Sequence, residues 1–171
     1  MRSFILFITV FLFVGLSAGC DSVTGVVQND ENIDLNNATS ATVNGLGVHL
    51  LAPDTVAVSD SFSVQVVVSN PSQTDRSVTT SSSCLVRPSV SSGDERIPIK
   101  GSTLLCAAAI TTHHIPAGTL EKRQFDMQAV LDTPEGKQPA SPGTYTVQVT
   151  LDWKIEGNEI KRTVQREILV R

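Results

Sequence analysis

Between Tyr145 and Trp153 every second residue is large and apolar: Tyr145, Val147, Val149, Leu151 and Trp153, separated by Thr146, Gln148, Thr150 and Asp152. A period of two puts one side of an extended chain in a core and the other in water, whereas a helix repeats every 3.6 residues and would scatter these side chains around its surface. Glu156-Gly157-Asn158 follows as the loop of a hairpin, with Val164, Ile168 and Val170 on the returning strand. The same alternation runs through Phe62, Val64, Val66 and Val68, with Ser61, Ser63, Gln65 and Ser69 between, and closes on the turn residues Asn70-Pro71-Ser72. The vocabulary agrees: of 171 residues 21 are Val, 18 Ser and 17 Thr, a β-forming set poor in good helix formers.

Weaker signals fill the intervals. Val48 and Leu50 begin an alternation that Val56 and Val58 continue after Pro53. Cys84, Val86 and Val90 mark a further strand, and Ile97 to Ile99 suits an edge because Pro98 cannot donate to a ladder. Leu104 to Thr112 reads as an apolar strand, Pro116-Ala117-Gly118 as a turn, and Phe125, Met127, Ala129 and Leu131 as one face of another strand. Pro134 to Gly143 reads as a Pro/Gly-rich loop. About seven to nine short strands at such spacing predict an all-β protein, an immunoglobulin-like antiparallel β-sandwich. Gly143-Thr144-Tyr145 at a strand start is similar to the tyrosine corner of such folds; the alternative is that Tyr145 is one more core aromatic.

The first residues carry a different message. Arg2 precedes an apolar run from Phe4 to Leu16, then small residues Ser17, Ala18 and Gly19, then Cys20. This is the layout of a secretory signal. A helix of about 13 residues rises only ~20 Å, short of the ~30 Å hydrocarbon core, so a transmembrane anchor is the weaker reading. Leu16-Ser17-Ala18-Gly19-Cys20 resembles a bacterial lipobox, with Ser17 where Leu is commonest. The resemblance implies cleavage after residue 19 and a Cys20 carrying diacylglycerol and palmitoyl-type chains, which at ~0.8 kcal/mol per buried CH₂ would hold the chain on a bilayer. Asp21 resembles the inner-membrane retention signal of enterobacterial lipoproteins; other bacteria do not read that code, so both the inner and the outer membrane remain open. Residues 20–42, rich in Asn, Asp, Ser and Thr, show no apolar period and are expected to form a flexible tether with a reach of roughly 25 Å. Residues 43–171 are then the β-sandwich domain.

Charge narrows the partners. The net charge is −4, and loss of Arg2 with the signal makes it −5. That disfavours a nucleic-acid binder working through a basic field. With Cys20 assigned to lipid, Cys84 and Cys106 remain as a pair, and an oxidising compartment favours a disulfide between them. Free buried thiols are the alternative; a metal site lacks a C-x-x-C spacing or a histidine pattern beside them. Lys154, Lys161, Arg162, Arg166 and Arg171 concentrate near the last hairpin beside Trp153, either as a contact for an anionic partner or as a solvated strand face that discourages aggregation.

Catalytic signatures are sparse. Gly15-Leu16-Ser17-Ala18-Gly19 matches a nucleophile elbow but lies in the signal segment, where no strand-to-helix turn can present the serine. There is no S-x-x-K, H-E-x-x-H, phosphate loop or dinucleotide fingerprint. His113 and His114 are neighbours that a strand sends to opposite faces, and His49 is distant in sequence. No catalytic residue, metal or cofactor is expected, and the chain does not read as an enzyme.

From Phe62 to Trp153 the order of motifs is similar to the BsuPI-type (intracellular proteinase inhibitor) domains. The carriers are Val66-Val67-Val68-Ser69-Asn70-Pro71, Ile115-Pro116-Ala117-Gly118-Thr119 and Pro142-Gly143-Thr144-Tyr145. The chain departs from that pattern at Leu131-Asp132, where a Trp is usual, and in its two central cysteines. The resemblance implies the sandwich fold and a protein-binding module of the proteinase-inhibitor type. The expected contact loop runs from Asp132 to Gly143, with Asp132, Pro134, Lys137, Pro139 and Pro142 as candidate binding residues; its prolines lower the ordering cost of binding. The other expectation is a structural or assembly module of the cell envelope with no soluble target.

Overall fold

The computed structural model describes residues 33–100 and 106–171. In chain order the strands are β1 (Thr39–Val43), β2 (Leu46–Leu51), β3 (Thr55–Val56), β4 (Ser61–Ser69), β5 (Arg76–Thr80), β6 (Arg87–Ser92) and β7 (Glu95–Ile97). They continue as β8 (Thr111–Ile115), β9 (Leu120–Gln128), β10 (Val130–Thr133), β11 (Gly136–Pro139), β12 (Gly143–Ile155) and β13 (Asn158–Val170). All the regular structure among the described residues is β, as the alternation predicts.

The strands form two main sheets. One has the order β1-β2-β4-β9; the other has the order β3-β13-β12-β5-β8, with β6 added to β12 and β7 to β6. Their inner faces share one core: Val48, Leu50, Val64, Val66, Val68, Phe125 and Met127 meet Val78, Val90, Val147, Val149, Leu151, Trp153 and Ile168. Each is removed from water, and burying a side chain of this kind contributes about 1.5–3 kcal/mol. The chain is therefore an immunoglobulin-like β-sandwich. It has more strands than the seven to nine expected because short ladders at β3, β7, β10 and β11 are added to the main ones. β3 with β13 is a parallel pair in an otherwise antiparallel set.

β12 and β13 pair from Gly143↔Val170 to Ile155↔Asn158. Glu156 and Gly157 close them with φ of 52° and 85°, the left-handed pair that a two-residue hairpin of the right twist demands. On its other side β12 has two partners in line: β5 at Trp153–Lys154 and β6 at Thr146–Thr150. The segment joining β5 to β6 is a loop, so Cys84 and Val86 lie before the strand expected there, which starts at Arg87. The reason is packing: Leu85 and Val86 bury without extending a ladder, and Leu85 turns its carbonyl to Trp153, whose Nε1 donates to it at 2.6 Å.

Three other expectations are corrected. β1 starts at Thr39, inside the segment read as tether; Ala41 packs against the core and Val43 is buried, and Asn44-Gly45 turns the chain into β2. The apolar run from Leu104 yields a strand only from Thr111; residues 101–105 lie outside the described residues, and Ala107 to Ile110 form an exposed loop with Ile110 84 % accessible. Pro134 to Gly143 is not all loop, because β10 and β11 pair as a two-stranded hairpin with Thr133 opposite Gly136.

Candidate binding groove at the β10–β11 hairpin

The predicted residues fall in separate places. Cys20 lies outside the described residues. Cys84 and Cys106 form a disulfide, with Cα atoms 5.2 Å apart. The bond fastens the β5–β6 loop to the segment before β8, and Ser83 and Ala107 exchange hydrogen bonds beside it: Ser83 N–H to the Ala107 carbonyl at 2.9 Å and Ala107 N–H to Ser83 Oγ at 2.9 Å.

Asp132 and Lys137 stand directly opposite each other in the hairpin. They form one wall of a groove of about 490 Å³ whose other lining comes from the β6–β7 corner and the chain after it. Its floor is apolar: Pro88, Ile97 and Val130 are buried, and Ile99 is partly so. Its rim is cationic, with Arg96, Lys100 and Lys137 against the single carboxylate Asp132. Pro134, Pro139 and Pro142 are exposed and do not line it. Sequence reasoning missed Pro88, Arg96 and Lys100. Nothing periodic marks them, since the groove is a corner where segments distant in sequence meet.

Rigid contacts hold the walls. Ala140 N–H donates to the Ala129 carbonyl at 2.9 Å and Ala129 N–H to the Asp60 carbonyl at 2.8 Å, which fixes the hairpin's base to the first sheet. Lys100 N–H donates to the Asp126 carbonyl at 2.7 Å. Across the corner, the Tyr145 hydroxyl donates to Glu95 of β7, and Ser141 Oγ donates to the same carboxylate at 2.7 Å. Tyr145 is thus a core aromatic that pins an edge strand through its hydroxyl's bond to the Glu95 side chain.

The basic run near the last hairpin is divided by the register. Lys154 and Lys161 stand opposite Glu159 and Asp152 on the outer face. Arg162 and Arg166 pair with the inward residues Leu151 and Val147, and Arg166 turns to the Asn37 carbonyl and the Asp54 carboxylate. Trp153 is buried and belongs to the core.

Each histidine has a hydroxyl partner. His113 meets Thr80 Oγ1 at 3.1 Å on the inner side, and His114 meets Ser77 Oγ at 3.1 Å on the outer side, the opposed faces expected of neighbours. His49 lies between Ser40 Oγ, 2.8 Å from Nδ1, and Ser69 Oγ, 3.0 Å from Nε2, linking β1, β2 and β4. Gly47 makes room for this ladder: a Cβ there would stand 2.2 Å from Ser69 Oγ. Among the described residues no three His, Cys, Asp or Glu gather to hold a metal.

Burial holds both His49 and His113 below the ordinary histidine value of 6.5. Hydrogen bonds hold two carboxyls below theirs: Ser141 and Tyr145 at Glu95, Ser63 and Gln124 at Asp126. Burial and Glu95 push the Tyr145 hydroxyl up to about 12. The unfolded histidines and carboxyls take protons first, so stability falls as pH drops below 6.5 and again through the carboxyl range; the unfolded tyrosine loses its proton first, so stability falls between pH 10 and 12. Thermal melts followed by circular dichroism are expected to be flat between about pH 7 and 9 and to fall on both sides. The double variant His49→Gln/His113→Gln removes the first step on the acid side; a step that survives it belongs to other groups.

Neither a protein-family profile nor a curated protein matches the sequence. Solved structures are similar in part. One is native alpha-2-macroglobulin from Escherichia coli, from its MG7 domain to the C-terminus, at 12 % identity and a TM-score of 0.48 over 74 % of this chain and 16 % of that one. Another is the CARDB domain of a Pyrococcus furiosus protein in complex with di-metal ions, at 14 % identity and a TM-score of 0.43 over 84 % of this chain and 99 % of that one. A β-glucosidase from Listeria innocua gives 13 % and 0.39 over 77 % of this chain and 16 % of that one. The chain spans about a sixth of the macroglobulin and glucosidase chains.

Proposed function

We propose that this chain is a lipoprotein of the bacterial cell envelope, held on the inner or outer membrane by an acylated Cys20, whose β-sandwich binds another protein through the groove at the β10–β11 hairpin. The observation that carries the reading is a cationic, apolar-floored groove on a chain whose net charge is −4. Its walls rest on ladders and on the Tyr145–Glu95 contact, so little order is lost when a partner settles there. An exposed hairpin on a rigid sandwich is also a place where recognition can vary without cost to the core. A proteinase is the partner class that the motif order suggests. Inhibition would place the hairpin against the enzyme and slow it stoichiometrically.

The anchor and the partner are tested separately. Cells fed labelled palmitate are expected to label the wild-type chain and not Cys20→Ser, which partitions into the soluble fraction. A Cys20→Ser chain that keeps its label ends the anchoring proposal. For the partner, crosslinking in intact cells from photoreactive residues placed at Glu135 and Gln138, beside the groove, is expected to give one discrete adduct absent when the probe sits at Thr163 on the far outer face. Equal adducts from both places remove the groove from the proposal. A panel of proteases slowed by no stoichiometric amount of the chain ends the inhibitor reading.

A further inference from the structure

We infer that the groove takes an extended segment of the partner in which acidic residues alternate with apolar ones; this rests on the protein-binding reading above. Three observations set those three properties. Among the described residues β7 makes its ladder with β6 alone, and β10 lies beside it without pairing, so a backbone edge adjoins the groove. An edge of that kind is satisfied by an added strand, which fixes the extended conformation. The floor of Pro88, Ile97, Ile99 and Val130 accepts the side chains that a strand turns inward at every second position. The rim sets Arg96 and Lys137 against Asp132, while Lys100 turns its Nζ to Ser61 Oγ at 3.1 Å beside Asp126, and no ion pair is formed by Arg96 or Lys137 among the described residues. Their positive charge is left for the residues a strand turns outward, and complementary charge both speeds encounter and selects against basic sequences.

The Ala107–Ile110 loop is apolar and exposed, but nothing beside it says what covers it. The Ser40–His49–Ser69 ladder lies on a sheet face, where each ring nitrogen already has a hydroxyl partner.

The test uses the full-length chain, ¹⁵N-labelled, in zwitterionic detergent, with two blocked octapeptides as probes: one alternating glutamate and valine, the other lysine and valine. The glutamate peptide is expected to shift the amides of Arg96, Ile97, Ile99, Val130 and Lys137, and to bind about tenfold or more tighter than the lysine peptide, with an affinity that falls as salt is raised. Arg96→Glu/Lys137→Glu is expected to lose that preference, with its melting temperature checked against the wild type. Lys154→Glu/Lys161→Glu on the outer face is expected to retain it. Equal binding of the two peptides, shifts centred elsewhere, or no shifts at millimolar peptide overturns the inference. If the peptides fail while crosslinks at the hairpin still give one discrete adduct, the acidic-strand assignment falls and the protein-binding reading stands; if the peptides bind at the groove and no adduct forms in cells, the site's chemistry stands and the cellular reading falls.

Discussion

Replacing Asn70 by Ala is expected to lower the unfolding free energy by about 3 kcal/mol, the cost of stranding one buried and two half-buried carbonyls at once. Asn70 is 1 % exposed. Its amide nitrogen donates to the carbonyls of Thr74 and Ile115 at 2.9 Å and of Pro116 at 3.2 Å, and its side-chain oxygen accepts from Ser72. Its own backbone closes onto the turn before β9, giving N–H to Thr119 at 3.0 Å and taking N–H from Gly118 at 2.8 Å. One side chain thus ties the end of β4 in one sheet to the end of β8 in the other. Asn70→Asp sharpens the test. It keeps the acceptor but points a carboxylate at carbonyl oxygens, so at neutral pH it is expected to cost at least as much as Ala. Urea melts measure both; an Asp variant as stable as the wild type means the donated bonds are not what holds the corner.

Removing the Cys84–Cys106 bond, by Cys84→Ala/Cys106→Ala, is expected to cost about 3 kcal/mol, since it frees a loop of about 23 residues in the unfolded chain. At this size that is a fall in melting temperature of roughly 10 °C. The bond has a second role in the native state. Trp153 donates to Leu85, the residue next to Cys84, so loosening the loop disturbs the indole. Trp153 is the sole tryptophan. Its near-ultraviolet dichroism reports the loop directly, and is expected to weaken in the double variant well below the melt. A variant that melts with the wild type shows that core packing alone restrains this loop.

The parts of the fold that could be read from the chain are those where one local rule acts alone. β4 and β12 bury one face and wet the other, so Val64 and Val149 declare themselves. The disulfide needed only a count of cysteines. The misreadings arise where tertiary demands override local pattern. β5 carries a polar residue inward at Thr80, buried because its hydroxyl donates to the Ser82 carbonyl at 2.6 Å, so its alternation is invisible. Ala107 to Ile110 is apolar yet exposed, because a disulfide and two hydrogen bonds hold it outside the core. The first hairpin did carry a signal, Asn44-Gly45 between apolar runs, masked by the polar residues before it. Of the groove, Asp132 and Lys137 were legible in the expected loop. Arg96 and Lys100 were not, since they join it only through the turn of β7 against β6.

Among the described residues, β10 and β11 form a ladder with each other and with no other strand. The turn at Pro134 and Glu135 can therefore be lengthened, shortened or rewritten while both principal sheets keep every rung. Natural variation and laboratory grafting meet the same opportunity there: a new specificity can be tried at the finger's tip, with the palm left as it is.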